Sequence, residues 1–182
     1  ALAGNIQAQH NMALLEAGAE PPDWKAAGEW FRKAADAGVA ESQYNLGILY
    51  AEGRGFEKNP VEAGKWFAKA AVQGLPDAAL DYGVMVFRGD GVQKDEKIGA
   101  QWLVISARRG NAVAQNRVAR LYASGRGVEP DPVEAMKWNI LAAKAGRSDA
   151  WLDEFTAKLL PAQKKEAEAR AKIIGRHTEF FQ

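Results

Sequence analysis

VAESQYNLGILYAEGRGFEKNPVEAGKWFAKAAVQG, residues 39–74, decides the fold. It reads as two helices joined by a glycine loop. Residues 40–52 carry Tyr44, Leu46, Ile48, Leu49 and Tyr50 at helical spacing, the signature of an amphipathic helix. Gly53-Arg54-Gly55 stops that helix, because glycine supplies the left-handed or extended backbone that a tight reversal needs. Asn59-Pro60 starts the second helix, Asn being a good N-cap and Pro suiting the first helical position. Ala63, Trp66 or Phe67, Ala70 and Ala71 form its buried face, and Gly74 closes it.

The stretch repeats along the chain. Trp30, Trp66, Trp102 and Trp138 stand 36 residues apart, as do Gly38, Gly74, Gly110 and Gly146. The pairs Gly53/Gly55, Gly89/Gly91 and Gly125/Gly127 keep the same step. Asp131-Pro132 opens a later second helix as Asn59-Pro60 does here. Small residues at Gly47, Gly83 and Ala119 let each first helix approach its neighbour, beside the aromatic at Tyr50 or Tyr122. One such helix pair cannot bury its apolar face, but stacked pairs can, so the period predicts an all-α solenoid.

Working outward, Gln9-His10-Asn11-Met12-Ala13 matches Gln43-Tyr44-Asn45-Leu46-Gly47 at a shift of 34. The first unit is therefore two residues shorter, the difference falling in its loop at Gly18 to Pro22. The expected units are 5–38, 39–74, 75–110 and 111–146, with a degenerate capping unit at 147–182. Within the cap, residues 148–160 read as a further first helix, and Pro161 starts a polar helix without the Trp and Ala pattern. Residues 1–4 read as the remnant of a preceding unit, so the chain is expected to be a piece of a longer protein.

These residues resemble the Sel1-like repeat, a tetratricopeptide-like family. The resemblance rests on Asn45-Leu46-Gly47, Tyr50, Gly53, Gly55, Ala63, Trp66, Ala70-Ala71 and Gly74. It recurs at Val118-Ala119, Tyr122, Gly125, Gly127-Val128, Asp131, Ala135, Trp138, Ala142-Ala143 and Gly146. Val86 stands where Tyr50 and Tyr122 do, a modest departure. The resemblance implies a right-handed superhelical α-solenoid whose first helices line a concave groove. It also implies a protein-binding adaptor, as bacterial relatives are in signalling, secretion and envelope assembly. A periplasmic or exported setting is favoured over a cytoplasmic one on the same ground.

Composition narrows the alternatives. The 182 residues are 47% hydrophobic, enough for a buried core. Net charge is +1, a weak footing for neutralising phosphates. The charge is polarised: residues 1–91 hold 8 Lys or Arg against 12 Asp or Glu, and residues 92–182 hold 16 against 11. There is no cysteine, which removes disulfides, thiolate nucleophiles and Cys-based zinc sites. The two histidines, His10 and His177, stand alone without ligand spacing. The glycine loops lack the third glycine and the lysine of a phosphate loop, and they follow helices. No catalytic residue, metal or cofactor is expected. An enzyme or carbohydrate-active module would need a cluster of buried carboxylates or histidines. A nucleic-acid-reading repeat would need matching basic or amide residues at one slot, yet one slot reads Asn11, Asn45, Asp81, Arg117.

Taking Leu46, Gly47 and Tyr50 as core places the groove-facing residues between them. The candidate partner-binding set is His10, Asn11, Tyr44, Asn45, Ile48, Asp81, Val84, Arg88, Arg117 and Arg120, with Leu14, Glu52, Leu80, Asn116 and Ser124 at equivalent slots. Asn can hold a peptide backbone through its paired donor and acceptor, and Arg can clamp a carboxylate. Arg117 and Arg120 stand three apart on one helix, positioned to share one anionic target. Trp24 and Trp151 fall outside the tryptophan register and are candidates for exposed interface residues.

Overall fold

The computed structural model describes residues 5–179, with side chains through residue 174, so the His177 side chain, the first four residues and residues 180–182 lie outside the described part. Among the described residues there are ten helices and no strand. They run α1 (Ile6–Ala17), α2 (Trp24–Asp36), α3 (Ala40–Glu52), α4 (Pro60–Val72), α5 (Pro76–Arg88), α6 (Glu96–Arg108), α7 (Ala112–Ser124), α8 (Pro132–Lys144), α9 (Ala150–Ala157) and α10 (Pro161–Glu179). Each helix from α1 to α8 packs on its neighbours in sequence, and α10 folds back onto α8. The result is an α-solenoid of four helix pairs closed by a polar helix.

Local chemistry sets the boundaries. Asn59, Asp95 and Asp131 cap the second helices α4, α6 and α8 by accepting from the backbone amides of Glu62, Ile98 and Glu134. Asp23 does the same for α2. Gly53, Gly89 and Gly125 end the first helices in the left-handed conformation, at φ 76°, 79° and 71°. The second glycine of each loop has a separate role. A Cβ on Gly55 would lie 2.3 Å from the Trp24 carbonyl oxygen, and one on Gly127 would lie 2.3 Å from that of Glu96. Each loop thus packs onto the start of the preceding unit's second helix, where only glycine fits.

Small residues bring the paired helices together as expected. The Phe67 ring lies where a Gly47 Cβ would point, and Ala13 and Ala119 are fully buried at the matching slots. Buried amides add rungs that the sequence reading did not single out. The Gln43 and Gln115 side-chain amides donate to the carbonyls of Ala35 and Ala107, tying α3 to the end of α2 and α7 to the end of α6.

Three features depart from a strict reading of the repeat. The helix expected over residues 148–160 is shorter, Ala150–Ala157, because Asp149 caps it through the Leu152 amide. Ala70 and Ala71 are buried, but in the matching pair only Ala142 is, while Ala143 is exposed. The short α9 leaves that second position uncovered. The four repeat tryptophans are also unequal: Trp66 and Trp138 are buried, whereas Trp30 and Trp102 are half-buried. Lys33 covers the Trp30 ring at 4.1 Å, a cation–π contact with a solvated side chain. Trp151 is 47% exposed and stacks on Phe155, and Trp24 is half-buried beneath Arg54.

Candidate interaction groove

The first helices present one face, and the candidate residues divide along it. At its start, His10 Nδ1 lies 2.8 Å from the Ser42 hydroxyl, across the gap from α1 to α3. Asn11 is exposed and accepts from Gln7 on its own helix. Tyr44 is half-buried against Phe67 and donates its hydroxyl to Asp81 at 3.1 Å, linking α3 to α5. Burial pushes the Tyr44 hydroxyl far above its ordinary value, and the Asp81 charge reinforces this. Burial also raises the Asp81 carboxyl, with the Tyr44 hydrogen bond opposing. Asn45 is half-buried beside them.

Two cavities open further along this face. One, of about 330 Å³, lies between α3 and α5. Ile48, Phe67, Val84 and Met85 make its apolar walls, while Glu52, Asp81 and Asp90 face Lys58 alone among charged groups. The other, of about 400 Å³, lies between α5 and α7. Val84, Phe87, Leu103 and Leu121 make its apolar walls, and its charged groups are Arg88, Lys94, Arg117, Arg120 and Arg126. Val84 lines both cavities, so they adjoin. The structure brings together Ile48, Asp81 and Val84 in one cavity and Val84, Arg88, Arg117 and Arg120 in the next. His10, Asn11, Tyr44 and Asn45 line neither.

The basic groups are not equivalent. Arg120 binds Asp149 with two hydrogen bonds of 2.7 and 2.8 Å, and Asn116 donates to the same carboxylate at 2.8 Å. The Arg120 guanidinium also lies 5.2 Å from the Trp151 ring centre. Burial alone would push the Asp149 carboxyl up, yet Arg120, Asn116 and the Leu152 amide hold it down at about 2. Lys94 and Arg126 both pair with Glu96, at 3.3 and 2.8 Å. Among the described residues, Arg88 and Arg117 have neither an ion pair nor a hydrogen bond from their side chains. The Arg117 side chain is exposed overall, but its cavity-facing part is desolvated, which lowers the guanidinium; Arg88 adds to that and the Asp81 charge opposes it.

Sequence reasoning missed Phe67, Phe87, Asp90, Lys94 and Leu103 as lining residues. Lys94 and Asp90 belong to the loop after α5, whose matching loops carry Arg54 and Arg126. That register was the available signal. Among the described residues, no group of three or more His, Asp or Glu is placed to hold a metal ion, and no helix is long and apolar enough to cross a membrane.

Comparison with known proteins agrees with this geometry. The Sel1 repeat family model matches residues 6–39, 40–75, 76–111 and 112–146. A Sel1 repeat protein from Oxalobacter formigenes has a similar structure at 31% identity and TM-score 0.75, over 94% of this chain and 73% of that one. So does c5321, a protective antigen of uropathogenic Escherichia coli with an SLR fold, at 30% identity and TM-score 0.79. That match covers 94% of this chain and 38% of that one. Helicobacter pylori cysteine rich protein B shares the fold at 21% identity and TM-score 0.54, over 60% of this chain and 85% of that one. No curated protein gives a significant match. Proteins built from Sel1 repeats are generally non-catalytic modules for protein–protein interaction. With four repeats covering residues 6–146 and similar solved relatives at about 30% identity, the chain belongs to the Sel1 repeat family.

Proposed function

We propose that this chain is a non-catalytic adaptor that holds a segment of a partner protein along the face of its first helices. One observation carries the reading: two adjoining cavities on that face share Val84 and combine apolar walls with charged rims. An apolar floor supplies affinity and a charged rim supplies orientation, the usual division of labour in recognition. The cavities open to solvent along a row of helices, which suits an extended segment better than an enclosed small substrate. We place the adaptor in bacterial signalling or envelope processes, in an exported setting, on the strength of the family. The lack of cysteine is compatible with that setting.

The test uses a photo-crosslinking residue placed at Ile48 or Val84, with Val72 on α4 as the control. Val72 is 74% exposed and lies on a second helix. In native lysate, crosslinked adducts should form from the two groove positions and not from Val72. Adducts from Val72 alone would move the docking surface to the second helices.

A further inference from the structure

The two cavities carry opposite charge, and the order of charge along the groove restricts what can lie in it. In the α3–α5 cavity three carboxylates, Glu52, Asp81 and Asp90, line the wall with one cation, Lys58. Glu52 is paired with Arg54 at 2.8 Å and Asp81 accepts from Tyr44, which leaves Asp90 without an ion pair or a side-chain hydrogen bond among the described residues. In the α5–α7 cavity no carboxylate lines the wall. Its Arg120 is held by Asp149, and its Lys94 and Arg126 share Glu96, which leaves Arg88 and Arg117 with their donors unused among the described residues. Val84 is the common wall, so the change of sign occurs across one apolar side chain.

We infer that the groove selects a dipolar peptide segment, whose acidic side chains meet Arg88 and Arg117, whose apolar side chain sits at Val84, and whose basic side chains meet Asp81 and Asp90. The inference rests on the groove reading above and adds the chemistry of the occupant. Guanidinium groups bind carboxylates through two parallel hydrogen bonds, so Arg88 and Arg117 suit Asp or Glu. A nucleic acid is disfavoured by the same geometry. A polyanion following the groove leaves the arginines and meets three carboxylates. The Phe87 ring already carries the Arg126 guanidinium at 5.0 Å, so a base stacking on that face would have to displace it. The acidic front half and basic back half of the sequence thus meet within one binding surface.

Four short synthetic peptides of equal length test this by fluorescence anisotropy. One has acidic and basic residues segregated on either side of a leucine pair. The second has the same composition with the charges alternating, the third is uniformly acidic, and the fourth is uniformly basic. The segregated peptide should bind roughly tenfold tighter than the other three at low salt. The double variant Arg88→Glu, Arg117→Glu should weaken it roughly tenfold, and so should Asp90→Lys with Glu52→Lys. These positions are exposed, so helicity by circular dichroism should not change. If the uniformly acidic peptide binds best and only the arginine variant loses it, the dipolar inference is overturned and the groove reading stands. If the segregated peptide binds both variants as it binds the parent, both readings fall. If no peptide binds up to about 1 mM, the inference is overturned, and crosslinking at Ile48 and Val84 decides the groove reading separately. A single-stranded oligonucleotide that binds as tightly as the segregated peptide overturns it too.

Discussion

Arg117 and Arg120 show how far single residues can be read from sequence. Their spacing placed them on one face, and both do line the α5–α7 cavity. The spacing could not show that Asp149, 29 residues further on, would take Arg120 for itself. Asp149 caps α9, accepts from Asn116 and binds Arg120 in a fork, so one buried carboxylate joins α7 to the capping unit. Replacing Asp149→Ala removes all of these and should lower stability by about 1–3 kcal/mol in urea denaturation at neutral pH. Asp149→Asn retains a capping oxygen and should lose less. The pH dependence has a definite sign. The folded pKa of about 2 lies below the unfolded value, so the charge stabilises the fold above about pH 4, and that contribution is lost as pH falls toward 2. The stability gap between parent and Asp149→Asn should therefore shrink across that interval. A gap that stays constant would mean that shape, and not charge, makes the clamp.

At the scale of helices, punctuation was legible and coverage was not. Asn59-Pro60, Asp131-Pro132 and the glycine pairs mark starts and stops that depend on only a few neighbouring residues. Whether a helix face is buried depends on the next helix, which is why Ala71 and Ala143 share a register yet differ in exposure. Ala71→Leu should overpack the interface between α4 and its neighbours and cost about 1–3 kcal/mol. Ala143→Leu should change stability by less than about 0.5 kcal/mol. Equal melting temperatures for the two variants would show that α9 and α10 cover Ala143 after all. The glycines divide in the same way. Gly146→Ala meets nothing within 4 Å and bears only the cost of its φ of 81°, about 1–2 kcal/mol. Gly127→Ala carries that cost and also forces a Cβ against the Glu96 carbonyl, so it should be the more damaging of the two by thermal denaturation.

For the whole molecule, the repeat makes stability a sum of neighbouring interfaces instead of one shared core. The buried side chains fall into separate clusters along the array: one around Phe31, Leu46 and Leu49, another around Val118, Trp138 and Leu152. The second of these includes Ala171 of α10, so the cap is tied to the last full unit and not to the front of the chain. α9 is only 8 residues long, too short to hold its helix without tertiary support. Damage at Asp149 should therefore spread to α9, α10 and the facing parts of α7 and α8, and stop there. Hydrogen exchange followed by mass spectrometry can locate it. In Asp149→Ala, amides of α9 and α10 should exchange faster, while those of α2, α3 and α4 keep the parent's protection. The reverse experiment has a matching expectation: Ala71→Leu should loosen α4 and α5 and leave α9 and α10 as they were. If either substitution raised exchange evenly from α1 to α10, the array would be unfolding as a single cooperative unit. The groove between α3 and α7 would then be only as rigid as the weakest end of the chain.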